Sequence, residues 1–474
     1  MTGLVDLPDE MLVRIAVHVD HNDLCAFRSV CKATGRATFD TFARTFFTTR
    51  AHLTTVHGMQ ALVDIAGDPG LAKHIKDIVM IPPGFDEDKY SPNRYADRSE
   101  ETGTEEKARL DRESAWASWE EIRSDATECG LLTGMLVQAL SNLKISCITP
   151  GVHVRDCQFE TSACYGIAQF RSMFQMLSPQ LELPEILHGS CDDVLPGVLT
   201  AIAITRLPIQ RFSIDAERSV SVTAMNFPLE LFTHSNSPFE HLKWLKLSIG
   251  PITGDDGNYY SAAYHMFDSL RTIFGGTAGL QHLSLDFRVW SESGMEEMQA
   301  PEFRHYGTLF EAPGFKNISS VTIEHVSWIG INDLIEFLTP LAKQLRCLHI
   351  LDLTIWNQEN YQELFVWLLC NTTLAELRLC ELVVTNGLDS PDRMLCLDHG
   401  KVDLWLRDAK AGKALSLGPE WKSPGTSRLC AVGGQSGEKT VAEMLTSLRD
   451  ELHYRLYDHE GELVEVTEGE YDED

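Results

Sequence analysis

The spacing of hydrophobic residues near the start of the chain predicts short helices separated by polar breaks. Pro8 suits the first turn of a helix, since its ring fixes φ and its missing N–H would be unpaired there anyway. The acidic Asp9 and Glu10 follow it, at the positive end of the helix dipole. The apolar residues of this run fall on one helical face, namely Met11, Leu12, Ile15, Ala16 and Val19.

Two further apolar stripes follow the polar break at positions 20–23. The second stripe contains Leu24, Phe27, Val30 and Cys31, and the third contains Phe39, Phe42, Ala43, Phe46 and Phe47. We therefore expect three short helices within residues 1–50, with Cys31 as a small buried side chain on an apolar helix face. Three such helices bury little surface by themselves, so this unit is expected to pack on the rest of the chain or on another protein.

A weak repeat of the form L-x-x-L-x-L runs through the following residues. Each hexamer resembles a short strand, and several are preceded by a helix-compatible run such as that beginning at Ile331. Strands alternating with helices at this spacing predict stacked βα units with parallel strands. The hexamers are IKDIVM from Ile75, LSNLKI from Leu140, IQRFSI from Ile209, LKWLKL from Leu242, LQHLSL from Leu280, ISSVTI from Ile318, LHILDL from Leu348 and LAELRL from Leu374.

Charge and composition narrow the possible functions. The net charge of −29 over 474 residues argues against nonspecific binding to nucleic acid or to anionic membranes, which require a basic surface. The N-terminus does not resemble a secretory signal, and no apolar run is long enough to span a bilayer. Without a signal, the 12 cysteines are expected to be reduced, in the cytoplasm or the nucleus.

Candidate catalytic and metal-binding motifs are weak. Cys157 and Cys164 do not form a C-x-x-C pair, so a zinc site is not expected. The glycine-rich stretch at 433–437 does not make a P-loop, because Lys439 is wrongly placed. No metalloprotease or serine-hydrolase motif is present. We therefore expect neither a cofactor nor catalytic activity.

The first helical run, read together with the second, resembles an F-box. The match includes Leu7, Pro8, Glu10, Leu12, Ile15, Asp23, Leu24, Phe27, Val30, Cys31 and Lys32. The family often places a large residue soon after the Cys-Lys pair, where this chain has Ala33, and Phe39 or Phe42 is the candidate substitute. The resemblance implies binding to the Skp-family adaptor of a cullin–RING ubiquitin ligase. The docking residues it implies are Leu7, Pro8, Glu10, Leu12, Ile15, Leu24, Val30, Cys31 and Lys32, as direct contacts or as their support.

The later hexamers resemble degenerate leucine-rich repeats, and with the N-terminal unit they resemble fungal F-box proteins. The expected fold class is α/β, with a three-helix F-box at 1–50 followed by an irregular leucine-rich-repeat-like βα solenoid with parallel strands at 51–384. That body carries a charged insertion near 86–106, expected to be mobile, and residues 385–474 are expected to form a capping region with an acidic tail.

The resemblance implies a substrate-recognition adaptor, with the F-box bound to the Skp-family adaptor and through it to cullin, and the repeats bound to a target protein. A scaffold or regulator that uses the F-box without building a ligase is the alternative. Target contacts are expected at non-apolar positions on and after the repeat strands. These are Lys243, Trp244, Lys246, Gln281, His282, Ser284, Glu376 and Arg378.

Overall fold

The computed structural model of the protein contains two compact units, Met1–Ala216 and Glu217–Asp474. The division falls within the predicted 51–384 body. The described residues are 7–83, 129–155, 164–170, 189–216, 237–248, 269–277, 279–287, 313–329, 331–355 and 360–384, with five short strands after residue 392 and isolated positions elsewhere. The predicted insertion at 86–106 and the acidic tail lie outside them.

The first unit opens with four short helices in residues 7–47, not the three expected. They are α1 (Asp9–His18), α2 (His21–Ser29), α3 (Lys32–Ala37) and α4 (Phe39–Phe47). The additional helix, α3, occupies the segment predicted as the link between the second and third stripes. Its six residues contain only alanines as aliphatic side chains, so no apolar stripe marked it in the sequence.

Five parallel strands of one sheet follow in the same unit. They are β1 (Thr49–Leu53), β2 (Asp77–Ile81), β3 (Gly151–Arg155), β4 (Cys164–Tyr165) and β5 (Arg211–Asp215), in the order β5-β3-β2-β1-β4. The helices of this region are α5 (Val56–Gly67), α6 (Pro69–Ala72), α7 (Leu131–Ile145) and α8 (Leu195–Thr205). Helix α7 packs against both α5 and α8. Since parallel neighbours need crossover connections, these helices occupy the chain between strands.

The register of this sheet aligns the first residues of four strands, Thr49, Asp77, Gly151 and Arg211. Asp77 Oδ1 lies 2.8 Å from the Arg211 guanidinium and 3.0 Å from Nε2 of His153. Glycine is required at position 151, because a Cβ there would collide with Asp77 Oδ1 and with the His153 ring. A polar ladder therefore crosses the strands at their N-terminal ends.

The second unit contains five consecutive parallel strands in the order β10-β9-β8-β7-β6. They are β6 (Trp244–Ser248), β7 (His282–Asp286), β8 (Ser320–Ile329), β9 (Cys347–Ile355) and β10 (Glu376–Val384). Helix α9 (Ile331–Leu338) connects β8 to β9, and helix α10 (Asn360–Asn371) connects β9 to β10. The prediction of parallel strands is confirmed here, and the predicted alternation with helices is described between β8 and β10.

Five short strands follow along the chain, and most of their pairings are antiparallel. They are β11 (Arg393–Leu395), β12 (Asp403–Arg407), β13 (Arg428–Val432), β14 (Leu456–Tyr457) and β15 (Leu463–Val464). Both β11 and β12 pair with β10 in antiparallel orientation, so the series of consecutive parallel strands ends at β10. Strands β12 and β13 pair with each other in parallel. The strand order is open rather than closed on itself. The solenoid and leucine-rich-repeat assignments remain predictions.

Seven of the eight hexamers coincide with described strands, and the one from Leu140 does not. That hexamer lies inside α7, where Leu136, Ala139, Leu140 and Leu143 are buried at helical spacing. An L-x-x-L pair satisfies a helical face as well as a strand, which is why this prediction is wrong. The hexamer assigned from Leu348 is out of register by three residues: β9 starts at Cys347, so the equivalent first leucine is Leu345.

Three strands of the first unit, β1, β3 and β4, were not predicted. Strand β3 carried a visible signal, since Val152 and Val154 alternate with polar residues. Strand β4 has only two residues and gave no usable signal. Its place beside β1, at the edge opposite β5, also departs from a strict order of repeats along the chain. Among the described residues, no helix is long and apolar enough to cross a membrane.

Candidate functional site

Some apolar residues of helix α1 are buried and others are exposed to solvent. Leu12 and Ala16 are buried, and Leu24 of α2 joins them in the interior of the helical region. Leu12 and Leu24 can therefore act on a partner only by supporting the helices that touch it. Of the other predicted docking residues, Leu7, Ile15 and Cys31 are half-buried, and Pro8, Glu10, Val30 and Lys32 are exposed.

A set of large apolar side chains in this region points to solvent. Val17 is 64% exposed, Val30 is 60% exposed and Met11 is 43% exposed. We name this set, with the exposed Val13 and Pro8, the exposed apolar set. Val13 and Val17 were missed in the sequence, although their i, i+4 spacing on the polar side of α1 was a readable signal. These side chains offer apolar area for a partner to cover.

Cys31 occupies a different position from the buried one predicted for it. It is the N-cap of α3: its Sγ accepts from the backbone N–H of Thr34 at 3.4 Å, and its own N–H donates to Thr34 Oγ1 at 3.1 Å. This reciprocal arrangement is a capping box. The hydrogen bonds from Thr34 lower the pKa of the Cys31 thiol. The residue therefore positions the helix that begins at Lys32.

The aromatic residues after the Cys-Lys pair meet a cation from α2. The guanidinium carbon of Arg28 lies 3.8 Å from the ring centre of Phe42 and 5.5 Å from that of Phe39. Burial lowers the pKa of Arg28, but its guanidinium remains charged and suited to a cation–π contact. Phe39 and Phe42, the two candidates for the large residue expected after the Cys-Lys pair, tie α4 to α2 through this contact.

Residues of α4 join the helical region to the remainder of the first unit. Asp40 of α4 pairs with Lys73 at 3.1 Å and with His74 at 3.3 Å. The hydrogen bond from Lys73 keeps the pKa of the Asp40 carboxyl below its ordinary value. Phe47 at the end of α4 is buried and continues into β1. The expectation that these helices need further packing is thus met partly within the chain.

The parallel strands of the second unit have one apolar face and one polar face. Leu245, Leu283 and Leu348 are buried on the apolar face, as alternation requires. The polar face carries six of the eight residues predicted to bind a target, and the register places them in two rows. The first row is Trp244, His282, Ser320, Cys347 and Glu376, and the second is Lys246, Ser284, Thr322, His349 and Arg378.

Several of these polar side chains are already engaged with one another. His349 Nε2 lies 3.2 Å from Glu376 Oε1, and Lys246 Nζ lies 3.4 Å from Glu324 Oε2. Partial burial lowers the pKa of His282. Ser284 is buried, whereas His282 remains exposed. The predicted residues Lys243 and Gln281 precede their strands, are exposed, and are linked by a backbone hydrogen bond from the Gln281 N–H to the Lys243 carbonyl at 3.0 Å.

Comparison with known proteins identifies one domain in the chain. The family model of the F-box domain matches residues 4–38, which include α1, α2 and α3 but stop before α4. No curated protein matches the chain. F-box domains generally bind Skp-family adaptors, and such a domain indicates, at a coarse level, a substrate adaptor of the SCF type.

Proposed function

We propose that this chain is the substrate-recognition subunit of an SCF-type cullin–RING ubiquitin ligase. The F-box domain at residues 4–38 is the observation that carries the proposal. In this role the chain performs no chemistry of its own. It holds a target near the ubiquitin-charged conjugating enzyme, and proximity raises the effective concentration of the target lysines.

The exposed apolar set supplies the surface for the Skp-family adaptor. Val17 and Val30 stand far into solvent while Leu12 and Leu24 fill the interior of the same helices. Covering such side chains on binding contributes about 25 cal/mol per Å² of apolar area, so a few of them supply much of a specific interface. The capped start of α3 holds Val30 and Lys32 in a fixed relation to that surface.

The polar face of the second unit is the proposed surface for the target protein. Its strands present half-exposed aromatic, basic and acidic side chains, including Trp244, Glu376 and Arg378. Trp and Arg are enriched among residues that dominate the energy of interfaces. The parallel register holds these side chains on a rigid base, which limits the entropy lost when a partner binds.

A reconstitution with the full chain tests the proposal. The chain is mixed with a recombinant Skp-family adaptor and cullin, and the complex is isolated by size-exclusion chromatography. Val17→Asp places a charge in the exposed apolar set and should weaken adaptor binding at least about tenfold, measured by calorimetry. Ile145→Asp is the matched control, because Ile145 is 81% exposed and lies in α7, outside the matched domain.

The outcomes of the reconstitution distinguish a ligase subunit from a scaffold that does not build a ligase. A complex that contains adaptor and cullin, lost with Val17→Asp and kept with Ile145→Asp, supports the ligase subunit. Adaptor binding without cullin favours the scaffold alternative. If the unaltered chain binds no adaptor, or if both variants bind it equally well, the proposed use of the F-box is wrong.

A further inference from the structure

Three side chains capable of binding a metal meet on the polar face of the second unit. Asp286 ends β7, and Glu324 and His325 lie in β8. Their ligand atoms all lie within 4.8 Å of one another. Among the described residues this is the only such group of three. It is independent of the F-box, which belongs to the other unit.

The backbone of β8 departs from regular strand geometry to bring His325 into this group. Glu324 pairs with Asp286 in the register, and adjacent residues of a strand ordinarily point to opposite faces. His325, however, has a φ of +55°, and its Nδ1 lies 2.8 Å from Asp286 Oδ1. A non-glycine residue with positive φ inside a strand is unusual, and it places an imidazole beside two carboxylates.

The two carboxylates of this group are largely shielded from water. The side chain of Asp286 is 0% exposed, whereas that of Glu324 is 19% exposed and that of His325 is 39% exposed. A buried carboxylate requires compensation by a cation or by hydrogen bonds. Lys246 is the ammonium that faces the group, and it lies 3.4 Å from Glu324 Oε2. Glu324 is thus paired with a lysine, and Asp286 with a histidine.

We propose that Asp286, Glu324 and His325 form a binding site for a divalent transition metal ion, with Zn²⁺ as its most suitable occupant. An imidazole with two carboxylates suits zinc and its neighbours, whereas Ca²⁺ and Mg²⁺ prefer oxygen ligands alone. Three protein ligands leave a fourth tetrahedral position for water or for a group of a partner. His325 is exposed enough to provide the path of entry.

To hold the ion, His325 and Asp286 move slightly apart, and Glu324 closes in from within the 4.8 Å that bounds the group. Zinc bonds of about 2.0–2.1 Å in a tetrahedron place neighbouring ligand atoms roughly 3.4 Å apart, slightly more than the 2.8 Å between His325 and Asp286. The ion takes the place of the proton between Nδ1 and Oδ1, and that proton passes to water. Glu324 joins by exchanging its contact with the Lys246 ammonium for the metal. The bound ion then crosslinks β7 to β8.

Titration of the metal-free full chain with Co²⁺ and Zn²⁺ tests the site. We expect one equivalent of Co²⁺ to produce the visible absorption of a tetrahedral ion, and Zn²⁺ to displace it. His325→Ala should weaken binding by more than about tenfold, since the loss of a ligand should exceed the effect of losing a supporting contact. The matched control is His349→Ala. His349 also pairs with a carboxylate on the polar face, that of Glu376, but among the described residues this pair has no third metal ligand beside it.

Lys246→Met provides a second variant that keeps all three ligands. Because it removes the cation that competes for Glu324, it should tighten metal binding several-fold. A structural ion-pair network without a metal site predicts no such gain. The proposed site is wrong if the unaltered chain binds no ion. It is also wrong if the His325→Ala variant binds the ion as tightly as the His349→Ala variant does. The adaptor reconstitution does not depend on this result, so the two proposals can fail separately.

Discussion

The F-box helices expose apolar side chains to solvent, whereas the parallel strands of the second unit present a polar face. Helix α1 exposes Met11 and Val17 to solvent, and Val30, which directly follows α2, is exposed as well. Strands β6–β10 bury their aliphatic side chains on one face and carry polar residues on the other. A strand buries one side of itself against neighbouring helices, whereas short helices have too little surface in common to cover every apolar residue.

This difference separates residues that hold the chain together from those that are left for a partner. On the strands, an apolar residue contributes to the stability of the folded chain. On the helices, only the residues turned inward, such as Leu12 and Leu24, do so. The contrast can therefore be tested by comparing similar substitutions in the two regions.

The largest effect is expected from Leu283→Ala in β7. Leu283 is almost fully buried, so the substitution removes apolar contacts and leaves a cavity, and it should lower the free energy of unfolding by about 2–5 kcal/mol. Val17→Ala is the comparison on α1, where the change should stay within about 0.5 kcal/mol, as for other exposed positions. Urea denaturation followed by circular dichroism measures both. Equal losses would contradict the contrast.

A buried histidine extends the comparison to pH. His52 of β1 is buried, and its Nδ1 lies 3.1 Å from the Gly58 carbonyl oxygen. Burial lowers the pKa of His52 from 6.5 to about 4. The unfolded chain therefore binds a proton at this position more readily. The stability due to neutral His52 is present above about pH 6.5 and is lost as the pH falls towards 4, by about 3 kcal/mol in total.

His52→Gln isolates this pH dependence. We expect the variant to flatten the fall in unfolding free energy between pH 6.5 and 4, measured by urea titrations at several pH values. His18→Gln is the matched control, since His18 lies on the exposed end of α1 and should leave the curve unchanged. A curve for His52→Gln that parallels the unaltered chain would show that the proton is taken up elsewhere.

The elements whose apolar residues repeat over a long distance were predictable from sequence. Strands β6, β7 and β8 begin two residues into hexamers whose first residues, Leu242, Leu280 and Ile318, are all fully buried. The hexamer at Leu140 was ambiguous, since the pattern fits both a helix and a strand when few residues are considered. Strand β4 depends on pairing with a distant strand, and such pairing cannot be read from two residues.

The candidate sites also differ in how far the sequence predicts them. The polar face could be predicted because alternation fixes which residues of a strand avoid the core. The cluster at Asp286 could not, since it depends on register between strands and on the positive φ of His325, neither of which local sequence encodes visibly. For the F-box, the motif identified α1 and α2, but not which apolar residues face outward.

The smallest predicted effect concerns the helix cap at Cys31. This residue is half-buried, between the buried residues that stabilise the chain and the exposed ones left for a partner. Cys31→Ala removes the Sγ acceptor of the Thr34 N–H and should destabilise α3 by about 0.5–2 kcal/mol. Cys31→Ser keeps an acceptor and should retain most of that stability. Hydrogen exchange of the Thr34 amide measures the difference. If alanine and serine protect this amide equally, Cys31 acts by packing and the capping role is refuted; if serine alone protects it, the residue serves to position α3 beside Val30.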